Sequence, residues 1–250
     1  MSAEAIRIAM WSGPRNISTA MMRSFGARPD TAVVDEPFYA VYLAKTGLNH
    51  PMRDEVLASQ SQEWREVVRQ LLGPVPDGKQ VFYQKHMTHH MLPEIGRDWI
   101  AQVRNAFLIR DPAAVLASYI QKRGEATLAD IGILQQRELF EYEADRLGRA
   151  PPVVDGADVT ANPQRVLSKL CVALGIEYTN AMLSWPAGRR STDGVWAPAW
   201  YSAVEQSTGF GPPSSRTNVS LPISLPDDLQ RIAEEGRSHY ERLSAFRLQA

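Results

Sequence analysis

Short runs of apolar residues punctuate the chain, and the segments between them repeat their apolar positions every three or four residues. The compact runs at Ile6–Trp11, Thr31–Val34, Gln80–Lys85, Asn105–Ile109 and Pro152–Val154 predict strands. Asn105–Ile109 in particular has the continuous character of a strand buried on both faces of a parallel sheet. The helical spacing predicts helices over Ser18–Phe25, Ser61–Leu72, Ile133–Leu147 and Leu229–Phe246. Two cap-then-proline signatures, Asp111-Pro112 and Asn162-Pro163, open further helices, the second running to its stop at Gly175. Gly47 and Pro51 break the stretch from Phe38 to Gln62 into short helix and loop, and the C-terminal third reads as loop-rich until Pro226. Strands alternating with helices predict an α/β fold of three layers, with helices flanking a mainly parallel central sheet. The length fits a single domain over residues 1–250. Ligands of such sheets bind where the strands end.

The first strand ends in Ser12-Gly13-Pro14-Arg15-Asn16-Ile17-Ser18-Thr19, a tight turn that carries a cation into a hydroxyl-rich helix start. Gly13 lets the backbone pass close to a ligand, and the first N–H groups of the next helix point back toward it, which suits an anion. The loop is not that of a nucleoside triphosphatase, because Ile17 stands where that pattern requires a lysine before Ser18.

Charge changes the picture by confining it. A formal net charge of -1 and an isoelectric point near 6.5 supply no general field for nucleic acid or an anionic membrane, so an anion site must be local. Cys171, the single cysteine, forms no intrachain disulfide, and the N-terminus shows no basic segment followed by an apolar signal core. A reduced, cytoplasmic setting is the expectation. No apolar run approaches the roughly 18 residues of a membrane span.

Further candidates sit at predicted strand ends. Arg110 closes the fourth strand and Ser118 follows on the next helix, where a guanidinium fork and a hydroxyl can share a phosphate; the plainer alternative is a strand-end arginine paired with a carboxylate. Asp35 and Glu36 close the second strand, and His86 closes the third in a run with His89 and His90. No cysteine or carboxylate completes a recognisable metal-ligand set around these histidines.

Several of these segments resemble the PAPS-dependent sulfotransferases. Pro14, Arg15, Ser18 and Thr19 match the family's 5'-phosphosulfate loop in the arginine form common in bacterial members, with Ile17 replacing a glycine. Phe107-Leu108-Ile109-Arg110-Asp111-Pro112 through Ser118-Tyr119 is similar to the second signature, whose arginine and serine bind the 3'-phosphate. Gln84-Lys85-His86-Met87-Thr88 with Met91-Leu92-Pro93 resembles the segment that carries the catalytic histidine, placing His86 on that base. Gly188-Arg189-Arg190 through Gly194-Val195-Trp196 resembles the loop that closes over the 3'-phosphate, with Ser191 in place of a glycine. The segments fall in the family's order from Ile6 to about Trp196.

The resemblance implies the P-loop sulfotransferase fold and in-line transfer of a sulfuryl group from PAPS to the hydroxyl of a small alcohol, phenol or sugar, leaving PAP. It assigns Ser12, Gly13, Pro14, Arg15, Asn16, Ser18, Thr19, Arg110, Ser118, Arg189 and Arg190 to the nucleotide. Arg15 would also stabilise charge on the leaving oxygen, and no metal is expected. His86 is the first choice for the base that takes the acceptor's proton. Glu36 is its rival, at the position where some bacterial carbohydrate sulfotransferases place a glutamate. Two alternatives stay open: a phosphoryl transferase, against which the missing lysine argues, and a nucleotide-binding module of sulfotransferase descent without turnover. The final apolar helix can dock on its own domain or on a second copy, so a homodimer is compatible with the sequence.

Overall fold

In the computed structural model, residues 5–123, 126–211 and 225–249 are described. The expected loop-rich stretch 212–224 lies outside them. Strand β1 (Ile6–Ser12) leads through the Arg15 loop into α1 (Ser18–Gly26) and then β2 (Thr31–Asp35). Helices α2 (Tyr39–Thr46), α3 (Arg53–Ser59) and α4 (Trp64–Leu72) precede β3 (Val81–Met87) and β4 (Arg104–Ile109). After β4 come α5 (Pro112–Arg123), α6 (Leu128–Ile131) and α7 (Ile133–Leu147), then β5 (Val153–Asp155) with α8 (Gly156–Ala161) and α9 (Pro163–Ala173). Short α10 (Ala197–Trp200) and α11 (Ser202–Glu205) precede the long α12 (Asp227–Ser244).

The five strands form one parallel sheet in the order β2-β3-β1-β4-β5. All strand C-termini therefore share one edge, where ligands of such sheets gather. Side chains alternate across a strand, and the two sheet faces bury different cores. Ala9, Trp11, Phe82, Phe107 and Val153 pack with Phe38, Trp99 and residues of α4, α7 and α12. Ile8, Met10, Tyr83, Ala106, Leu108 and Val154 pack with Met21, Met22 and Phe25 of α1 and Val166, Leu167 and Leu170 of α9.

The expected caps form. Asp111 accepts from the Ala113 and Ala114 amides at 2.9 and 3.2 Å, and Asn162 accepts from the Arg165 amide at 3.2 Å. The helix expected from Ser61 begins at Trp64 instead, because the Ser61 hydroxyl is turned to the Glu63 amide at 3.2 Å and the chain at Glu63 is extended. Strand β3 continues two residues past Lys85, since its register with β1 pairs His86 with Trp11 and Met87 with Ser12.

Candidate active site

The loop after β1 is fixed from three sides. The Asn16 side-chain amide donates to the Leu108 carbonyl of β4 at 2.8 Å, stapling the loop to the neighbouring strand. The Thr88 hydroxyl lies 3.3 Å from the Ser12 carbonyl and 2.8 Å from that of Gly132. The Ile131 carbonyl approaches Gly13 so closely that a Cβ there would lie 2.5 Å from its oxygen. Only glycine fits that contact. Arg15 itself adopts a left-handed backbone, φ 53°, which turns the chain into α1.

Arg15, Arg110 and Ser118 converge. The Arg15 Nε donates to the Ser118 hydroxyl at 3.0 Å, and Arg110 donates to the Arg15 carbonyl. Among the described residues neither guanidinium makes an ion pair. Burial disfavours both cations, pushing their pKa values below arginine's ordinary value; for Arg110 the Arg15 charge adds to the effect, and Asp155 and Asp111, too far for an ion pair, offset part of it. Guanidinium nonetheless stays charged in proteins. Two adjacent, partly buried arginines without an ion-paired carboxylate concentrate positive charge beside the loop. A small cleft lined by Gly13, Asn16, Arg110, Pro112 and Val115 opens beside them. The Asn16 Oδ1 is buried without a hydrogen-bond partner, turned toward Gly156 at the start of α8.

The remaining loop residues divide. Ser18 and Thr19 form the first turn of α1, and Pro14 is half-buried before Arg15. Ser12 is fully buried, its hydroxyl 3.9 Å from the Met87 sulfur, so its side chain serves the strand pair. Arg189 is exposed and pairs with Glu205 at 3.7 Å; Arg190 donates to the Pro186 carbonyl at 2.8 Å. No described contact joins either to Arg110. Their segment is instead anchored through Asp193, which meets Arg23 of α1 at 2.7 Å in a pair almost wholly out of solvent.

Alternation along β3 separates Lys85 from His86. His86 faces the aromatic core, stacked on Trp11 with ring centres 4.4 Å apart and flanked by Phe38 and Trp99. Its Nε2 lies 3.2 Å from the Gln84 side-chain oxygen. Burial, helped by the Lys85 charge, pushes its pKa down to about 3. His89 and His90 are packed with Tyr42 and, for His90, Tyr39, and no metal-holding group of three or more His, Cys, Asp and Glu occurs among the described residues.

Lys85, not singled out in the sequence, is the hub of a buried network at the C-terminal edge of β2 and β3. Register pairs it with Asp35, whose Oδ1 it meets at 2.8 Å, and it reaches Glu36 at 2.5 Å and the Tyr201 hydroxyl at 2.9 Å. Burial opposes the ammonium, but the two carboxylates outweigh it and hold its pKa well above lysine's ordinary value. One cation against two carboxylates leaves a surplus negative charge. It falls on Glu36, whose side chain keeps 12 % exposure while those of Asp35 and Lys85 keep 2 % and 1 %. Burial raises the Glu36 pKa above the usual carboxylate range, against the pull of Lys85. Glu36 also has a left-handed backbone, φ 39°, so strain marks both the cationic loop and the carboxylate.

A parallel α/β sheet with a cationic loop after its central strand, and acidic and basic groups along the same edge, is the frame in which the family likeness is read. The sulfotransferase domain profile matches residues 6–236, and the chain belongs to that family. It is 35% identical over 249 residues to branched-chain-amino-acid aminotransferase-like protein 1 of Arabidopsis thaliana, covering 98% of this chain and 44% of that protein. The chain thus spans less than half the length of this relative. Among solved structures, the sulfotransferase domain from the curacin biosynthetic pathway superposes with a TM-score of 0.57 at 18% identity, covering 94% of this chain and 98% of the other. A mouse sulfotransferase complexed with PAP gives 0.51 at 12% identity, with 96% and 85% covered. These likenesses establish a common fold.

Proposed function

We propose that the chain transfers a sulfuryl group from PAPS to a small-molecule hydroxyl, with Glu36 taking the acceptor's proton. The observation that carries the reading is the pair Arg15 and Arg110, partly buried beside a glycine loop and Ser118 with no carboxylate paired to either. Such a pair is costly unless an anion with several oxygens completes it. The glycine loop, pinned by Asn16 to β4, presents the start of α1 beside this pair. PAP in the mouse structure is a ligand of that protein and supports the choice of nucleotide here.

When bound, PAPS supplies the sulfuryl group and a phosphate leaving group. Arg15 would hold the 5' end, where its fixed positive charge faces the oxygen that gains negative charge; it stabilises that charge without giving up a proton. Arg110 and Ser118 would hold the 3'-phosphate, and the first N–H groups of α1 contribute their partial positive charge. Arg189 and Arg190, held apart from this cluster by the Asp193–Arg23 anchor, have no part in this reading. Glu36 outranks His86 as base for a physical reason. A stacked imidazole with a pKa of about 3 is a weak proton acceptor, whereas a carboxylate raised by burial and still in touch with solvent is closer to the working pH.

Turnover of PAPS to PAP against a panel of phenols, aliphatic alcohols and sugars tests the reading. Glu36→Gln should lower kcat by about 100-fold or more. Unchanged kcat in Glu36→Gln, with His86→Phe inactive, would return the base to His86. The plant relative's aminotransferase-like name belongs to a protein of which this chain spans less than half, and it assigns this chain no reaction.

A further inference from the structure

Tyr201 reaches the Glu36 network from the segment that follows the Arg189-Arg190 loop. That segment is fastened twice: Asp193 pairs with Arg23 of α1, and the Gly194 amide donates to the Asp35 Oδ2 at 3.1 Å. Tyr201 is buried, 5 % exposed, and its hydroxyl sits among four polar groups. The Trp196 indole donates to it at 3.1 Å and the Lys85 ammonium at 2.9 Å. Both acceptor sites of the phenol are then filled. Its one proton must go to a carboxylate, and Asp35 is nearest, at 2.7 Å to Oδ2 and 2.9 Å to Oδ1, with Glu36 at 3.4 Å.

The donor count closes. Lys85 spends its three N–H groups on Asp35, Glu36 and Tyr201, and Asp35 accepts from Lys85, Tyr201 and Gly194. Among the described residues no hydrogen bond reaches the second oxygen of Glu36. We propose that Tyr201 is a positioning residue for Glu36: by saturating Asp35 and anchoring Lys85, it fixes the Glu36 carboxylate with one oxygen held and the other open to an acceptor hydroxyl. This rests on the reading of Glu36 as the base.

The titratable groups facing Glu36 are Asp35 at its own strand end, Lys85 on β3 and Tyr201 from the crossing segment. Tyr83 and His86, the buried neighbours of Lys85 on β3, lie next in line and are neutral near pH 7. Burial first, then Asp35, holds the Tyr201 phenol well above its ordinary pKa, so it remains a donor throughout the working range. With its proton on Asp35, the phenol acts on Glu36 from 3.4 Å and by holding the Lys85 ammonium in place; both favour the ionised carboxylate, so their loss raises the Glu36 pKa.

The test is a pH titration of protein carrying carboxyl-¹³C glutamate, with the Glu36 signal assigned by its disappearance in Glu36→Gln. Tyr201→Phe should move the Glu36 midpoint up by roughly half to one pH unit, the scale of a displaced neighbouring cation and a long polar contact. Trp196→Phe, which removes a donor to the phenol and keeps a ring, should move it in the same direction by less, and carries the test if Tyr201→Phe does not fold. A midpoint unchanged in a variant with the wild-type far-UV spectrum overturns the inference. Calorimetry of the wild type with PAP separates the two readings. PAP binding with an unmoved midpoint removes the role of Tyr201 alone, whereas absence of PAP binding removes the donor reading and leaves the titration result standing.

Discussion

Lys85 and His86 are neighbours in sequence with opposite surroundings, and the difference decides which of them belongs to the acid–base network. The resemblance to a sulfotransferase segment points to His86, yet alternation along a buried strand turns that side chain onto Trp11 and Phe38. Lys85 was legible by another route. A lysine inside an apolar strand must find a partner, and Asp35-Glu36 at the end of another strand of the sheet supplies it. Tyr201 was readable only as one of several aromatic residues for a pocket; its crossing to Asp35 and Lys85 was not, because nothing local in a loop-rich segment signals it. Arg15, Arg110 and Ser118 were readable as candidates, and the structure brings these three together. The buried His86 has a consequence for stability. Its pKa is about 3 folded and near 6.5 unfolded, so below pH 6.5 the unfolded chain binds the extra proton. The stability this group contributes is whole above that pH and falls by up to about 1.4 kcal/mol per pH unit toward pH 3. His89 and His90 are buried and depressed in the same sense, so His86→Phe should make the acid side of a plot of thermal midpoint against pH shallower by about a third. An equally steep fall in the variant would show that other groups carry the acid sensitivity.

At the scale of elements, the β1–α1 loop behaves as a fitted part. Its glycine is dictated by the Ile131 carbonyl at the end of α6, and Thr88 ties Ser12 to Gly132 on the other side. Gly13→Ala forces backbone against backbone, which cannot relax as a flexible side chain can. The expected cost is about 1–3 kcal/mol, read as a lowered urea midpoint with unchanged slope. An unchanged midpoint would mean that the α6 turn yields freely. The strands, α1, α7, α9 and α12 follow from apolar spacing and caps, which are local signals. The start of α4 and the short α10 and α11 do not, because Ser61 turns to Glu63 rather than capping a helix at that point and Trp196–Tyr201 is shaped by packing on Tyr39 and Asp35. Arg189 and Arg190 show the same limit: the motif was readable, but their placement away from Arg110 depends on the Asp193–Arg23 anchor.

For the whole molecule, an all-parallel sheet sets its strand ends along one edge, so groups far apart in sequence become neighbours by topology. β4 lies one strand spacing from β1 and β2 lies two, about 5 and 10 Å, which places the arginine pair and the Glu36 network on opposite sides of the same loop. No helix among the described residues is long and apolar enough to cross a membrane. If Arg15 and Arg110 together bind the donor nucleotide, isothermal calorimetry with PAP, run beside ATP and magnesium, should show it. PAP should bind the wild type, and Arg15→Ala and Arg110→Ala should each weaken it by tenfold or more, about 1.4 kcal/mol or greater. ATP binding without PAP binding, or PAP affinity unchanged in Arg110→Ala, would contradict that joint role.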